Sequence, residues 1–391
     1  MSKSFNAHAM RLQPFYSRFD VANRLLFTGH SHQAWPDIVA EGLKESLDAA
    51  ARFVDNKWGP AFSRIDVLRN YLRDYYSDTT GQWSYAPNTH DLLVRWLSAL
   101  KWKPGAEIVT TDGEFYSAFR QFKSLEQLGV RVHYIEASSS PDLADAFRTR
   151  INAKTIAMFA SRVFFQTGTI NNAIPALGKL AAETGIPLLI DDYHGTNVIP
   201  FSIPEQQMEH TYWLIGGYKY LQWGEGNCFM RYPENDPLEP VITGWFASFS
   251  TLSHPRENYR VAFDADMKYC GGTIDPASAF RAAKVVEFFR DMNMSPKLLH
   301  GMYRTQVAYL KETFLNLLDG HPSIKLKHNE PAENTAGFLA LHTPDAVTLH
   351  KKLLEKGVFT DARGSTLRFG PAPYITSDQI ESAMKALHSI V

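Results

Sequence analysis

The residues of this chain best suited to covalent chemistry are a lysine and an aspartate at the ends of two apolar runs. Lys219 stands between Tyr218 and Tyr220, after the glycine pair Gly216 and Gly217 and before Gly224 and Gly226. An amine attacks a carbonyl only in its neutral form, and aromatic neighbours on a glycine-lined turn provide the desolvation that makes that form accessible. Asp191 ends the run Leu188-Leu189-Ile190 and is followed by Asp192, Tyr193 and His194. Acids are rarely buried unless paired, so a carboxylate at the end of an apolar strand calls for a partner. Asp192 points to the opposite face, because successive strand residues alternate.

Such a pair suits pyridoxal phosphate. A lysine holds the cofactor aldehyde as a Schiff base, and a carboxylate keeps the pyridine nitrogen protonated so that the ring draws electrons from a substrate carbon. On this reading Lys219 and Asp191 are catalytic, and His194 either packs on the ring, tunes Asp191 or is a satisfied histidine near a strand end. Asn88 and Thr89 precede an apolar helical run at 91–100, where they either donate to a phosphate or serve as an ordinary helix cap. Phe115 follows a strand and either stacks on a planar ring or belongs to the core. Gly271, Gly272 and Thr273 form either an anion nest or a simple turn. Arg368, in Leu367-Arg368-Phe369-Gly370, needs an anion, either a substrate carboxylate held by its fork or an internal partner such as Asp361.

His30-Ser31-His32 places two imidazoles on one face if it is a strand, but no third ligand stands at a fitting spacing, so no metal site is expected. The nucleotide patterns Gly-x-Gly-x-x-Gly and Gly-x-x-x-x-Gly-Lys are absent, as is a serine nucleophile elbow.

These residues are carried by alternating elements. The sequence predicts helices at 91–100, 116–128 and 175–184 between strands at 107–111, 130–135, 155–159, 187–190 and 212–215. Repeated β-α units with apolar strands predict an α/β domain built on a mainly parallel sheet, with ligands at the strands' C-terminal ends. After a polar stretch at 248–268 come helices at 276–292, 297–318, 345–356 and 377–391 and strands at 336–341 and 365–369, the pattern of a smaller α+β domain. The expected division is an arm at 1–50 packed on the small domain, a large cofactor-binding domain at 51–250 and the small domain at 251–391.

Composition sets the frame. Of 391 residues, 45% are hydrophobic and 21% charged, enough apolar material for a sizeable core. Lys+Arg 40 against Asp+Glu 41 gives a net charge of −1, which supplies no broad field for nucleic acid or a membrane surface. Cys228 and Cys270 lack metal or redox spacing, and a reducing cytoplasm is expected. No run approaches the roughly 18 apolar residues of a membrane span. The acid-free first 19 residues, with Arg11 and Arg18, read as either a docked arm or a transit segment.

Taken together, Phe115, Val163, Thr167-Gly168, Asp191-x-x-His194, Tyr218-Lys219-Tyr220, Gly244-Trp245-Phe246, Gly272-Thr273 and Leu367-Arg368-Phe369-Gly370 resemble kynureninase, of the class V aminotransferase group within fold-type I pyridoxal phosphate enzymes. The resemblance implies a seven-stranded-type sheet in the large domain and a covalent bond between Lys219 and the cofactor. It further implies that Asp191 holds the ring nitrogen, that Tyr218 touches the phosphate and shuttles protons, and that Arg368 holds the substrate carboxylate. Trp245 and Thr273 would reach a phosphate in the neighbouring subunit of a homodimer. The implied reaction is hydrolysis of the Cβ–Cγ bond of L-kynurenine, or of a related γ-keto amino acid, to anthranilate and L-alanine. The family's N-terminal Asp-Gly-Asn-Ser segment appears here as Gly29-His30-Ser31-His32, and its aspartate three residues past the stacking aromatic is Ala118. Alternative functions are a class V aminotransferase, desulfurase or β-eliminating lyase acting on another small amino acid, and a catalytically silent ligand-binding protein.

Overall fold

A computed structural model describes residues 4–137, 143–255, 261–328 and 330–391; of the polar stretch at 248–268, residues 256–260 lie outside it. A short strand β1 (Leu25–Leu26) comes first, and then the strands of one large sheet. These are β2 (Gln82–Ala86), β3 (Glu107–Thr111), β4 (Arg131–Ile135), β5 (Thr155–Ser161), β6 (Leu188–Asp191), β7 (Tyr212–Gly216) and β8 (Cys228–Tyr232). Their spatial order is β2-β8-β7-β6-β5-β3-β4. The pairs from β7 through β4 are all parallel, whereas β8 runs antiparallel to both of its neighbours, so the sheet is mixed at one edge.

The parallel strands are apolar on both faces because both faces are covered. Leu188, Ile190, Trp213 and Ile215 join one core, while Leu189, Tyr212 and Leu214 join the other. Crossover helices Tyr116–Glu126 and Ile174–Thr184 connect successive parallel strands, and helix Thr89–Ala99 links β2 to β3. This geometry brings Thr111, Ser161, Asp191 and Gly216, the last residues of β3, β5, β6 and β7, to one edge.

The C-terminal region is smaller. Strands β9 (Lys325–Leu326), β10 (Leu339–His342), β12 (Asp361–Arg363) and β13 (Thr366–Phe369) form an antiparallel sheet in the order β12-β13-β10-β9. Strand β11 (Val358–Phe359) instead pairs in parallel with β1. Helices Pro296–Leu318, Ala346–Glu355 and Ser377–His388 complete this region. The first helix of the chain is tied to it: Asn6 bonds Ser377 through both its Nδ2 and Oδ1, and Gln13 donates to the Tyr374 carbonyl at 3.0 Å. Thus the fold is an α/β large-sheet domain with a smaller α+β C-terminal domain. Among the described residues no helix is long and apolar enough to cross a membrane.

Candidate active site

A cavity of about 280 Å³ opens at the C-terminal edge of the large sheet, lined by Asn88, Thr89, Phe115, Asp191, His194 and Lys219, among others. Lys219 reaches it two residues after Gly217, on the turn that follows β7. The glycine at 216 is required, since a Cβ there would collide with the ring of Tyr193. That ring lies 4.6 Å from Lys219 Nζ, and the Phe115 ring lies 5.8 Å away. The residues that desolvate the amine therefore come largely from other elements, not only from the flanking tyrosines.

Lys219 is buried, and burial pushes its ammonium down to about 7, with the charge of Arg368 adding to the effect and Asp191 opposing it. Its Nζ lies 2.5 Å from His194 Nε2. Burial, together with the charge of Lys219, holds the imidazolium well below its ordinary range, so His194 is neutral, and its buried Nδ1 has no hydrogen-bond partner among the described residues. Asp191 ends β6 and accepts the N–H of Tyr193 at 2.9 Å. Desolvation raises its pKa even though that bond and the Lys219 charge pull it down. Asp192 serves the opposite side, accepting from Arg162 Nε at 2.6 Å and from the Tyr76 hydroxyl at 2.5 Å.

Asn88 caps helix Thr89–Ala99 by accepting the N–H of Asp91 at 2.8 Å. The first N–H groups of a helix have no partner within it, and here that end faces the cavity, a natural seat for a phosphate. Tyr218 also lines the cavity and is stacked by His32 at 4.7 Å. Trp245 Nε1 donates to Thr273 Oγ1 at 3.2 Å, and neither residue lines this cavity.

Two conditional readings can be placed. His30-Ser31-His32 is a turn rather than a strand: His30 is buried against Asp361 at 3.1 Å, whereas the side chain of His32 is largely exposed and stacked on Tyr218, so the two rings share no face. Among the described residues no group of three or more His, Cys, Asp or Glu side chains could hold a metal. For Arg368, of the two partners the sequence allowed, the structure shows the internal one, Asp361.

Sequence reasoning missed Tyr193, Ser161 and Glu114. Glu114 accepts from the Thr111 and Ser161 hydroxyls at 2.5 Å each, tying the loop that carries Phe115 to the end of β5. Burial pushes this carboxyl up to about 7. The only available signal was its position directly before an aromatic at the end of a strand.

An amine on a turn, a carboxylate at the next strand end, an aromatic ring and a helix start, all facing one cavity, match the aldehyde, ring nitrogen, ring face and phosphate of pyridoxal phosphate. Residues 89–383 match the model of the aminotransferase class-V family. The chain belongs to that family, and pyridoxal phosphate is its cofactor.

O-acetyl-L-homoserine sulfhydrylase of Leptospira meyeri is 26% identical over 212 residues, 47% of this chain and 44% of that protein, so the match spans less than half of that relative. Among solved structures, a complex of the cystine C–S lyase C-DES with cysteine persulfide superposes with a TM-score of 0.77 at 14% identity, covering 94% of this chain and 98% of the other. The apo cysteine desulfurase of Thermococcus onnurineus NA1 gives 0.80 at 16% identity, covering 97% of each. At these identities the structures show the fold. The expectation of kynureninase-type hydrolysis is overturned: the similar structures just described are a C–S lyase and a cysteine desulfurase. The motifs that suggested it surround the cofactor, which many reactions share.

Proposed function

We propose that this chain cleaves the Cβ–sulfur bond of a small sulfur-containing amino acid by β-elimination. The observation that carries the proposal is the buried Lys219, held near neutral pKa beside a neutral His194, in a cavity that offers no reactive thiol. The chain has two cysteines, both buried. Cys228 lines the cavity, but burial pushes its thiol up to about 11, so it is a poor nucleophile at neutral pH. Sulfur therefore leaves with the product instead of passing to a protein thiolate. The C–S lyase and desulfurase activities named for structures of the same fold support this reaction class.

When bound, pyridoxal phosphate withdraws electrons from the substrate α-carbon and so makes its proton acidic. Lys219, as the neutral amine, takes that proton; the Cα–Cβ double bond forms as the Cβ–S bond breaks, and sulfur departs with the bonding electrons. The lysine ammonium then lies at hydrogen-bond distance from His194, through which the proton can return to the leaving sulfur. Asp191 would supply the negative charge that the ring nitrogen needs, Phe115 would cover the ring, and Asn88 with Thr89 would order the helix start that holds the phosphate. Trp245 and Thr273 complete the phosphate site of a second copy in a homodimer.

Product analysis tests this reading. Holoenzyme incubated with L-cystine or L-cysteine should release pyruvate, ammonia and reduced or persulfidic sulfur. Alanine with sulfur retained on the protein, or a keto acid formed only with an amino acceptor, would rule it out.

A further inference from the structure

Each of the three nitrogens of the Arg368 guanidinium donates a hydrogen bond within the protein. Its Nε and Nη2 donate to Asp361 Oδ1 and Oδ2 at 2.6 and 2.5 Å, and its Nη1 donates to the carbonyl of Phe165 at 2.5 Å. The pair is set by sheet register, because Asp361 on β12 lies directly opposite Arg368 on β13. The two side chains are 13% and 5% exposed, and His30 adds a bond to the same carboxylate at 3.1 Å.

Phe165 lines the cavity and Arg368 does not, so the arginine sits one residue behind the cavity wall. Asp361 gives it two coplanar oxygens in the arrangement that a substrate carboxylate would present. Although burial alone would raise its pKa, the bonds from His30 and Arg368 hold the Asp361 carboxyl well below the ordinary range, so it stays an anion at any working pH.

We propose that Asp361 is a specificity-determining residue: an internal carboxylate that occupies Arg368 and that a substrate carboxylate must displace in order to bind there. A tethered group competes at an effective concentration in the millimolar range or above. A free carboxylate therefore gains little at Arg368 while Asp361 remains, and discrimination between substrates falls to the groups that line the cavity. This inference rests on the substrate being an amino acid, but not on which bond is cleaved.

The test uses thermal melting of the holoenzyme with propionate, and with propionamide as the uncharged control. Asp361→Ala opens a carboxylate-sized gap facing Arg368, and Asp361→Asn keeps an acceptor while removing the charge, so either variant reports if the other fails to fold. In the variant, propionate should bind at least tenfold more tightly than in the wild-type protein and raise the melting temperature saturably, with no such effect from propionamide. Equal responses to propionate and propionamide in the variants, or propionate binding as tight in wild type as in the variants, would overturn the proposal. Because this readout needs no turnover, its failure is distinct from failure of the elimination reaction.

Discussion

At the residue scale the chemistry turns on where protons sit around Lys219. Its folded pKa is lowered from 10.5 by burial, so the neutral base forms as pH rises through about 7. Because Lys219 is a free amine only once substrate has taken its place on the cofactor, kcat should climb between about pH 6 and 8, and a kcat profile flat through that range, or falling with pH, would contradict the assignment. Asp191→Ala removes the charge facing the ring nitrogen and should lower kcat by about a hundredfold or more, read in a steady-state assay. Lys219 and Asp191 were legible because each stands in a short run whose composition is odd for its place, a lone lysine among aromatics and an acid on an apolar strand. Ser161 and Glu114 were not legible as site residues, because their roles come from tertiary pairing, and Asp361 was legible only as one of two possible partners of Arg368. Ser161 lies opposite Asp191 only once β5 pairs with β6, and Asp361 faces Arg368 only once β12 pairs with β13.

At the element scale, the site depends on loops fixed to strand ends. Asn88→Ala deletes the cap of helix Thr89–Ala99 and should cost about 0.5–2 kcal/mol in denaturant melts, together with weaker cofactor binding. Glu114 anchors the Phe115 loop. Its folded pKa is raised to about 7 from an ordinary value near 4.5, so its contribution to stability is full below the unfolded value and is lost as pH rises through about 7. Glu114→Gln should flatten that loss in melts taken from pH 4.5 to 8, whereas an unchanged slope would show that the carboxyl is not the group responsible. The parallel strands β3 to β7 were readable from apolar runs. The antiparallel β8 was not, because Arg231 interrupts it. That arginine is fully buried, with Asp78 accepting its Nε at 3.0 Å and the Thr211 carbonyl its Nη1 at 2.8 Å, a tertiary solution that local patterning does not reveal.

At the scale of the whole molecule, the cofactor was more legible than the reaction. The residues proposed to hold pyridoxal phosphate gather at the strand ends, where the fold dictates them, while the bond to be cleaved depends on cavity walls drawn from separate segments such as those carrying Val163, Phe165 and Glu225. The exposed Trp245, bonded to Thr273 and outside its own cavity, is proposed to serve the phosphate site of a second copy. Sedimentation should accordingly give about twice the 44.2 kDa chain mass, and Trp245→Ala should weaken cofactor retention. All of these readings depend on Lys219 as the covalent anchor of the cofactor. The direct measurement is borohydride reduction of the yellow holoenzyme, followed by intact-mass and peptide mass spectrometry. One cofactor per chain, fixed on Lys219 and absent from Lys219→Ala, is the predicted result; a label on another lysine, or unchanged labelling in Lys219→Ala, would contradict the account.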